Sequence, residues 1–277
     1  MSALFPVETK GFKVHIFDGT INNIYLMEYE DKAFLVDPGV AGDMPKVVSY
    51  LNENLIDISK IRFSFVSHMH PDHSGCAVSL RKVFGLPIAA HEWAARWYGG
   101  IWGGFQYLLD CYMTIQVAKR RGVGIGDVRF DRYINPEFPL KGNSLLPEFP
   151  DWEVLHLPGH TAHDLVLFNK AEKLLYVADQ IIEFKDAFHL PLPVLFKDAM
   201  LDSYKRLSML DADTLLFAHG GPVFFCGDNG LYDYMISLLD GPLSILAKQV
   251  HFLSCYSPEI ARFKNGLYSK DLRISDK

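Results

Sequence analysis

His68, His70, Asp72 and His73 fall within the stretch SHMHPDHSG, residues 67–75. Imidazole nitrogens and carboxylate oxygens are the donors that zinc and other borderline divalent cations take. Histidines at i and i+2 point to the same side of an extended segment. The Asp72-His73 pair then faces elsewhere, so one short loop could serve two cations. A lone histidine reads more simply as a core or surface residue, whereas four donors at this density do not. Further donors stand where other apolar runs stop. His160 lies in PGHTAHD after EVLHL, Asp179 follows KLLYVA, and His219 follows TLLFA and precedes Gly220-Gly221. Strand ends are rigid and the loops leaving them are exposed, so a layered scaffold collects its chemistry there. Taken singly, Asp179 reads equally well as a helix or turn cap, and His219 as a turn residue.

The elements that must present these side chains follow from apolar alternation and turn residues. Strands are expected at 13–17, 24–29, 32–36 and 62–66, the last ending where the histidine cluster begins. A helix starts at Gly42-Asp43 with Pro45 in its first turn. Another covers 77–84, and a short strand follows at 87–90. Residues 92–121 carry Trp93, Trp97, Tyr98, Trp102, Phe105, Tyr107 and Tyr112, interrupted by Gly99-Gly100 and Gly103-Gly104. They read as broken helices whose aromatic face serves packing or a substrate wall. Residues 122–143 read as loop with short extended pieces. Strands return at 153–157, 165–169 and 174–178. A loop at 180–198, a helix at 202–210, a strand at 214–218 and a mostly helical tail from 230 complete the chain. Linkers, low-complexity runs and repeats are lacking. One domain over 1–277 is expected, with a helical insertion at about 92–121 and a helical tail at about 230–277.

The chain has 277 residues, 49% of them hydrophobic and 22% charged, with a net charge of −6. That balance suits a globular core and does not favour a nucleic-acid partner. No leader and no apolar run long enough to span a bilayer is read, so no membrane partner is expected. Cys76, Cys111, Cys226 and Cys255 share no CxxC spacing and read as reduced thiols of a cytoplasmic protein. Cys76 follows the histidine cluster and Cys226 follows His219 closely enough for both to lie near the site, although small buried hydrophobes are the simpler reading.

The string His68-Met69-His70-Pro71-Asp72-His73 resembles the HxHxDH motif of the metallo-β-lactamase-fold hydrolases. Asp37, Gly159-His160-Thr161, Asp179 and His219-Gly220 are similar to that family's other motifs and come in its order, over about residues 13–225. The resemblance implies an α+β fold, the αββα sandwich, with two mixed sheets flanked by helices and metals at one sheet edge. It implies that His68, His70 and His160 hold one metal, that Asp72, His73 and His219 hold the other, and that Asp179 bridges them. Asp37 would orient the histidine loop. The implied cofactors are two divalent ions, zinc first, with manganese or iron as alternatives.

The implied activity is a binuclear hydrolase whose metal-bridging hydroxide attacks an ester, lactone or thioester carbonyl. Asp72 would also receive a proton. Family members that cleave β-lactams generally lack the bridging carboxylate, and acyl-homoserine-lactone lactonases tend to carry a tyrosine shortly after it. Here QIIEFKDAFHL follows Asp179 without one. The basic glutathione-binding tail of glyoxalase II-type thioesterases is not evident either. β-Lactamase, phosphodiesterase and mononuclear-iron sulfur dioxygenase activities stand as alternatives. Residues 92–112 and the loop 183–196 are the candidate approach for a small-molecule substrate with an apolar portion. His163 and His189 are spare histidines near the site.

Overall fold

The computed structural model describes residues 4–221, 223–225, 230–242, 244–254 and 257–266. Cys226 and Cys255 lie outside the described residues, as does the end of the tail, 267–277.

The first sheet contains β1 (Leu4–Glu8), β2 (Lys13–Asp18), β3 (Asn23–Glu28), β4 (Ala33–Val36), β5 (Ile61–Val66), β6 (Ile88–His91) and β7 (Phe138–Leu140), in that order. Its first four strands are antiparallel, and β4 to β7 pair parallel. Parallel pairing requires crossovers. Between β4 and β5 runs α1 (Met44–Glu53), and between β5 and β6 runs α2 (Pro71–Phe84). The second sheet is built from β8 (Ser144–Leu146), β9 (Phe149–His156), β10 (Leu165–Asn169), β11 (Leu174–Ala178), β14 (Thr214–Phe217) and β15 (Val223–Phe225). Between β11 and β14 come the hairpin β12 (Ile182–Phe184) and β13 (Ala187–His189), then α5 (Lys197–Leu207). The tail holds α6 (Gly230–Leu239), α7 (Ile245–Ser254) and α8 (Pro258–Lys264).

Side-chain alternation divides these strands between three apolar layers. Val14, Ile16, Tyr25, Phe34, Phe63 and Phe65 of the first sheet meet Phe149, Trp152, Val154, Leu167 and Tyr176 of the second in the central core. The opposite face of the first sheet, with Ile24, Leu26 and Leu35, is covered by Val47 and Leu51 of α1 and Leu80 of α2. The opposite face of the second, with Val166, Leu175 and Leu215, is covered by Met200 and Tyr204 of α5 and Met235 of α6. Strands buried on both faces read as unbroken apolar runs, which is why AFLV and LLYVA are continuous. The result is the expected αββα sandwich. Among the described residues no helix is long and apolar enough to cross a membrane.

Three local expectations are corrected. First, α2 begins at Pro71 rather than near residue 77, so Asp72 and His73 occupy its first turn. Proline at the start and an acidic residue beside the helix N-terminus both favour this. Second, residues 92–121 are not broken helices throughout. A short α3 (Ala94–Trp97) precedes a continuous 21-residue α4 (Gly100–Arg120). Gly103 does not interrupt α4; it lets the helix approach the preceding chain, where an added Cβ would stand 2.4 Å from the Tyr98 carbonyl carbon. Third, the loop expected at 180–198 contains the β12–β13 hairpin, and α5 starts at Lys197.

Candidate metal centre

β4, β5 and β6 run parallel in one sheet and β11 and β14 in the other. Asp37 follows β4, His68 follows β5, Asp179 follows β11 and His219 follows β14. The β9–β10 connection carries His160 to the same edge, because β10 is antiparallel to β11. Inter-sheet hydrogen bonds tie this edge together, including Leu165 N–H to Ser67 O (3.0 Å) and Asn23 N–H to Ala218 O (2.7 Å). Asp37 and Ala178 take φ of 43° and 48°. These left-handed turns cost an ordinary residue about 1–2 kcal/mol and direct the chain into the site.

Two donor groups result. His68, His70, His160 and Asp179 form one, and Asp72, His73 and His219 the other. Asp179 stands between them. Its Oδ2 is 3.9 Å from His68 Nε2 and 3.5 Å from His160 Nε2, while its Oδ1 is 3.3 Å from both His73 Nε2 and His219 Nε2. Asp72 Oδ2 lies 3.3 Å from His219 Nε2 and 3.6 Å from His73 Nε2. His73 Nε2 and Asp179 Oδ1 are buried without hydrogen-bond partners. Such atoms are costly to leave unmatched, and cations between the groups would satisfy them. Three imidazoles in one group, two imidazoles and a carboxylate in the other, and a shared carboxylate suit two borderline divalent ions.

The outer nitrogens of four of these rings are held in turn. Asp37 is fully buried. Its Oδ2 accepts from His73 Nδ1 (2.7 Å), Tyr176 OH (2.6 Å) and Ser67 Oγ (2.5 Å), and its Oδ1 from Ser67 N–H (2.7 Å). Asp37 therefore orients the histidine loop from outside the donor groups. Ser67 Oγ in turn accepts from His68 Nδ1 at 3.0 Å. His160 Nδ1 donates to Pro193 O (2.6 Å), and His219 Nδ1 to Ile21 O (2.8 Å).

Burial holds His68 well below the ordinary imidazole range, and His73 and His70 nearby add to the effect. Burial, reinforced by His160, puts His70 at about 3. In the second group burial is outweighed. Asp179 and Asp37 drive His73 up, and Asp179 with Asp72 raises His219 to about 9. Burial alone would raise Asp72, yet His73 and His219 hold it at about 2.

The groups sit at the base of a pocket of about 170 Å³ reached by His70, Asp72, Asp179 and His219. Met113, Thr114 and Val117 in the C-terminal half of α4, with Arg121 just past its end, make one wall. Ile182 of β12, with Leu192 and Pro193 beyond the hairpin, makes another. Of the two readings of the aromatic residues at 93–112, packing or a substrate wall, the pocket lining does not include them as a wall. Trp93, Trp97, Tyr98 and Tyr107 are buried, whereas Trp102, Phe105 and Tyr112 face outward. His163 is buried behind the site, its Nε2 accepting the Met69 N–H at 3.0 Å, and His189 is exposed on β13. Cys76 and Cys111 are buried free thiols in the packed core.

Sequence reasoning missed Asp110, which lines the pocket from α4. A signal was present: Asp110 is the one charged residue between Gly100 and Ala118. A lone carboxylate in an apolar helix needs a partner.

Residues 17–219 match the family model described as the metallo-beta-lactamase superfamily. The chain belongs to that superfamily. A hydroxyacylglutathione hydrolase of Bdellovibrio bacteriovorus is 25% identical over 207 residues, 74% of this chain and 64% of the relative. The chain thus spans less than two thirds of that relative's length. A metallo-beta-lactamase family protein from Thermus thermophilus superposes with a TM-score of 0.60 at 20% identity, covering 90% of this chain and 89% of its own. The protein TTHA1623, solved in a di-iron-bound form, gives a TM-score of 0.54 at 22% identity, covering 84% and 98%. The structural likenesses establish the sandwich fold.

Proposed function

We propose that the protein is a binuclear metal-dependent hydrolase acting on an ester, lactone or thioester carbonyl of a small molecule with an apolar portion. The observation that carries this reading is Asp179, whose two oxygens each face a different donor group at the floor of one pocket. His68, His70 and His160 would hold one ion, Asp72, His73 and His219 the other, and Asp179 both. Divalent ions there would supply Lewis acidity, ionising water near neutral pH and polarising the carbonyl. Zinc is the first expectation, with manganese and iron accepted by the same donors.

The chain's own residues would do the rest. Asp37, Ser67 and the carbonyls of Pro193 and Ile21 keep the imidazoles in fixed tautomers. Ile182, Leu192 and Pro193 would seat the apolar portion and exclude water. Asp72, which reaches the pocket, would hold a proton on a carboxylate oxygen as the leaving group departs. A thioester is favoured among the substrates because a relative is a hydroxyacylglutathione hydrolase.

The test is a panel of lactones, thioesters, aryl esters, phosphodiesters and a cephalosporin on metal-quantified protein, with Asp179→Ala as the blank. Two ions per chain with carbonyl-ester turnover supports the reading. One iron per chain with oxygen uptake on a persulfide overturns it. For Asp72, the Asn variant should lose turnover by about 10²-fold or more; retained metal with unchanged turnover would remove the proton role.

A further inference from the structure

Four of the five imidazoles in the donor groups have their outer nitrogen within hydrogen-bond distance of a partner: Ser67 for His68, Asp37 for His73, Pro193 O for His160 and Ile21 O for His219. His70 is the fifth. Its Nδ1 lies 3.0 Å from His68 Nε2 and 2.9 Å from His160 Nε2, so Nδ1 faces the cluster and Nε2 faces away. The carboxylate beyond Nε2 is Asp110, with Oδ2 at 3.6 Å. That is an ion-pair distance rather than a hydrogen bond.

Asp110 is aimed there by its own braces. Gln106 Nε2 donates to Oδ1 at 2.7 Å, one helical turn away on α4. The Tyr98 hydroxyl lies 2.9 Å from Oδ2 and 3.0 Å from Met69 O, which joins α4 to the residue between His68 and His70. Asp110 is 6% exposed, and among the described residues no lysine or arginine pairs with it. A buried carboxylate without a cation is expensive. An imidazole that shares its charge with a metal is the compensation the surroundings offer.

We infer that Asp110 is a positioning residue for His70, completing the supporting set from the inserted helix α4. The carboxylate draws the Nε2 proton outward, fixes the tautomer with the Nδ1 lone pair free, and raises the basicity of that lone pair. The inference rests on the two-metal reading of the site. It ties α4, which supplies a pocket wall, to the strength of one ion's binding.

The test compares wild type, D110A, D110N and D37A, stripped of metal and reloaded with cobalt(II). Stoichiometry and affinity come from competition with a chromophoric chelator, and site geometry from the cobalt absorption bands. D110A should weaken one ion by about 10–100-fold and leave the other unchanged. D110N, which keeps an oxygen facing Nε2–H but removes the charge, should show a smaller loss at the same ion. D37A should weaken the opposite ion. Wild-type affinity for both ions in D110A, or equal weakening of both, overturns the inference. Should D110A fail to fold, D110N decides: a loss confined to one ion supports it, and unchanged binding of both overturns it. Failure of the wild type to bind two ions overturns the two-metal reading itself, and is seen before any variant is compared.

Discussion

His68, His70 and His160 meet as three imidazoles kept neutral by burial, whereas Asp72, His73 and His219 combine a carboxylate with two imidazoles pushed towards the charged form. The supports differ as well. The first group leans on a serine hydroxyl, a loop carbonyl and the distant Asp110 of α4. The second leans on Asp37, which gathers four donor contacts with no exposure at all. The contrast teaches that the groups are unequal sites sharing one carboxylate. The second is the more strongly charged and the more rigidly braced; the first is neutral and open to influence from the pocket wall.

Replacing Asp179 by Ala is the largest perturbation, because it breaks both groups at once. Turnover should fall by more than the roughly 10–100-fold that loss of a supporting partner costs, and metal content should drop from two ions. Metal analysis beside the activity assay checks this. Two tightly held ions in the variant would show that Asp179 bridges nothing.

Acidification should separate the groups. Protons and metal compete for the same lone pairs. His219, raised to about 9, holds a proton at neutral pH that a cation must displace. His73, driven up by Asp179 and Asp37, competes in the same sense, so binding at the second group should weaken at least tenfold for each pH unit lost below that value. His70, lowered to about 3, offers a free lone pair throughout the same range. Chelator competition at pH 8, 7 and 6 should show one affinity falling by about 100-fold or more while the other hardly moves. Parallel weakening of both would erase the difference drawn between the groups.

Much of this arrangement is legible in the sequence. Asp179 and His219 stand out because each follows an apolar run, LLYVA or TLLF, that is almost wholly buried, and His160 because it lies in PGHTAHD shortly after the strand that ends in EVLH. The sandwich was legible through the resemblance of the HxHxDH string and its companion motifs to the metallo-β-lactamase-fold hydrolases. Less legible were features decided by packing between distant segments. Gly103-Gly104 look like a break until α4 is seen pressed against Tyr98. Asp110 looks like an isolated acid until that helix sets it 3.6 Å from His70. The pocket wall turned out to be Met113, Thr114 and Val117, because the large aromatics of the same helix are spent on core packing or face outward. The start of α2 was readable from Pro71, yet the metal-ligand spacing around it argued for a loop.

The smallest expected effect concerns His163, and it asks whether the first group is tuned from behind as well as from the pocket. Its Nε2 accepts the N–H of Met69, the residue separating His68 from His70. Burial holds the ring well below the ordinary imidazole range, which keeps Nε2 available as an acceptor. His163→Leu removes the acceptor while retaining apolar bulk beside Trp97. A buried N–H left unpaired costs about 1–3 kcal/mol, so denaturant unfolding of the metal-free variant should show a loss of that size. If the Met69 backbone also sets the spacing of the two imidazoles, the first ion should bind a few-fold more weakly. His163→Gln, which restores an acceptor oxygen, should recover part of both losses. A stability loss with both ions bound as in the wild type would confine His163 to the fold and leave Asp110 as the first group's outer control.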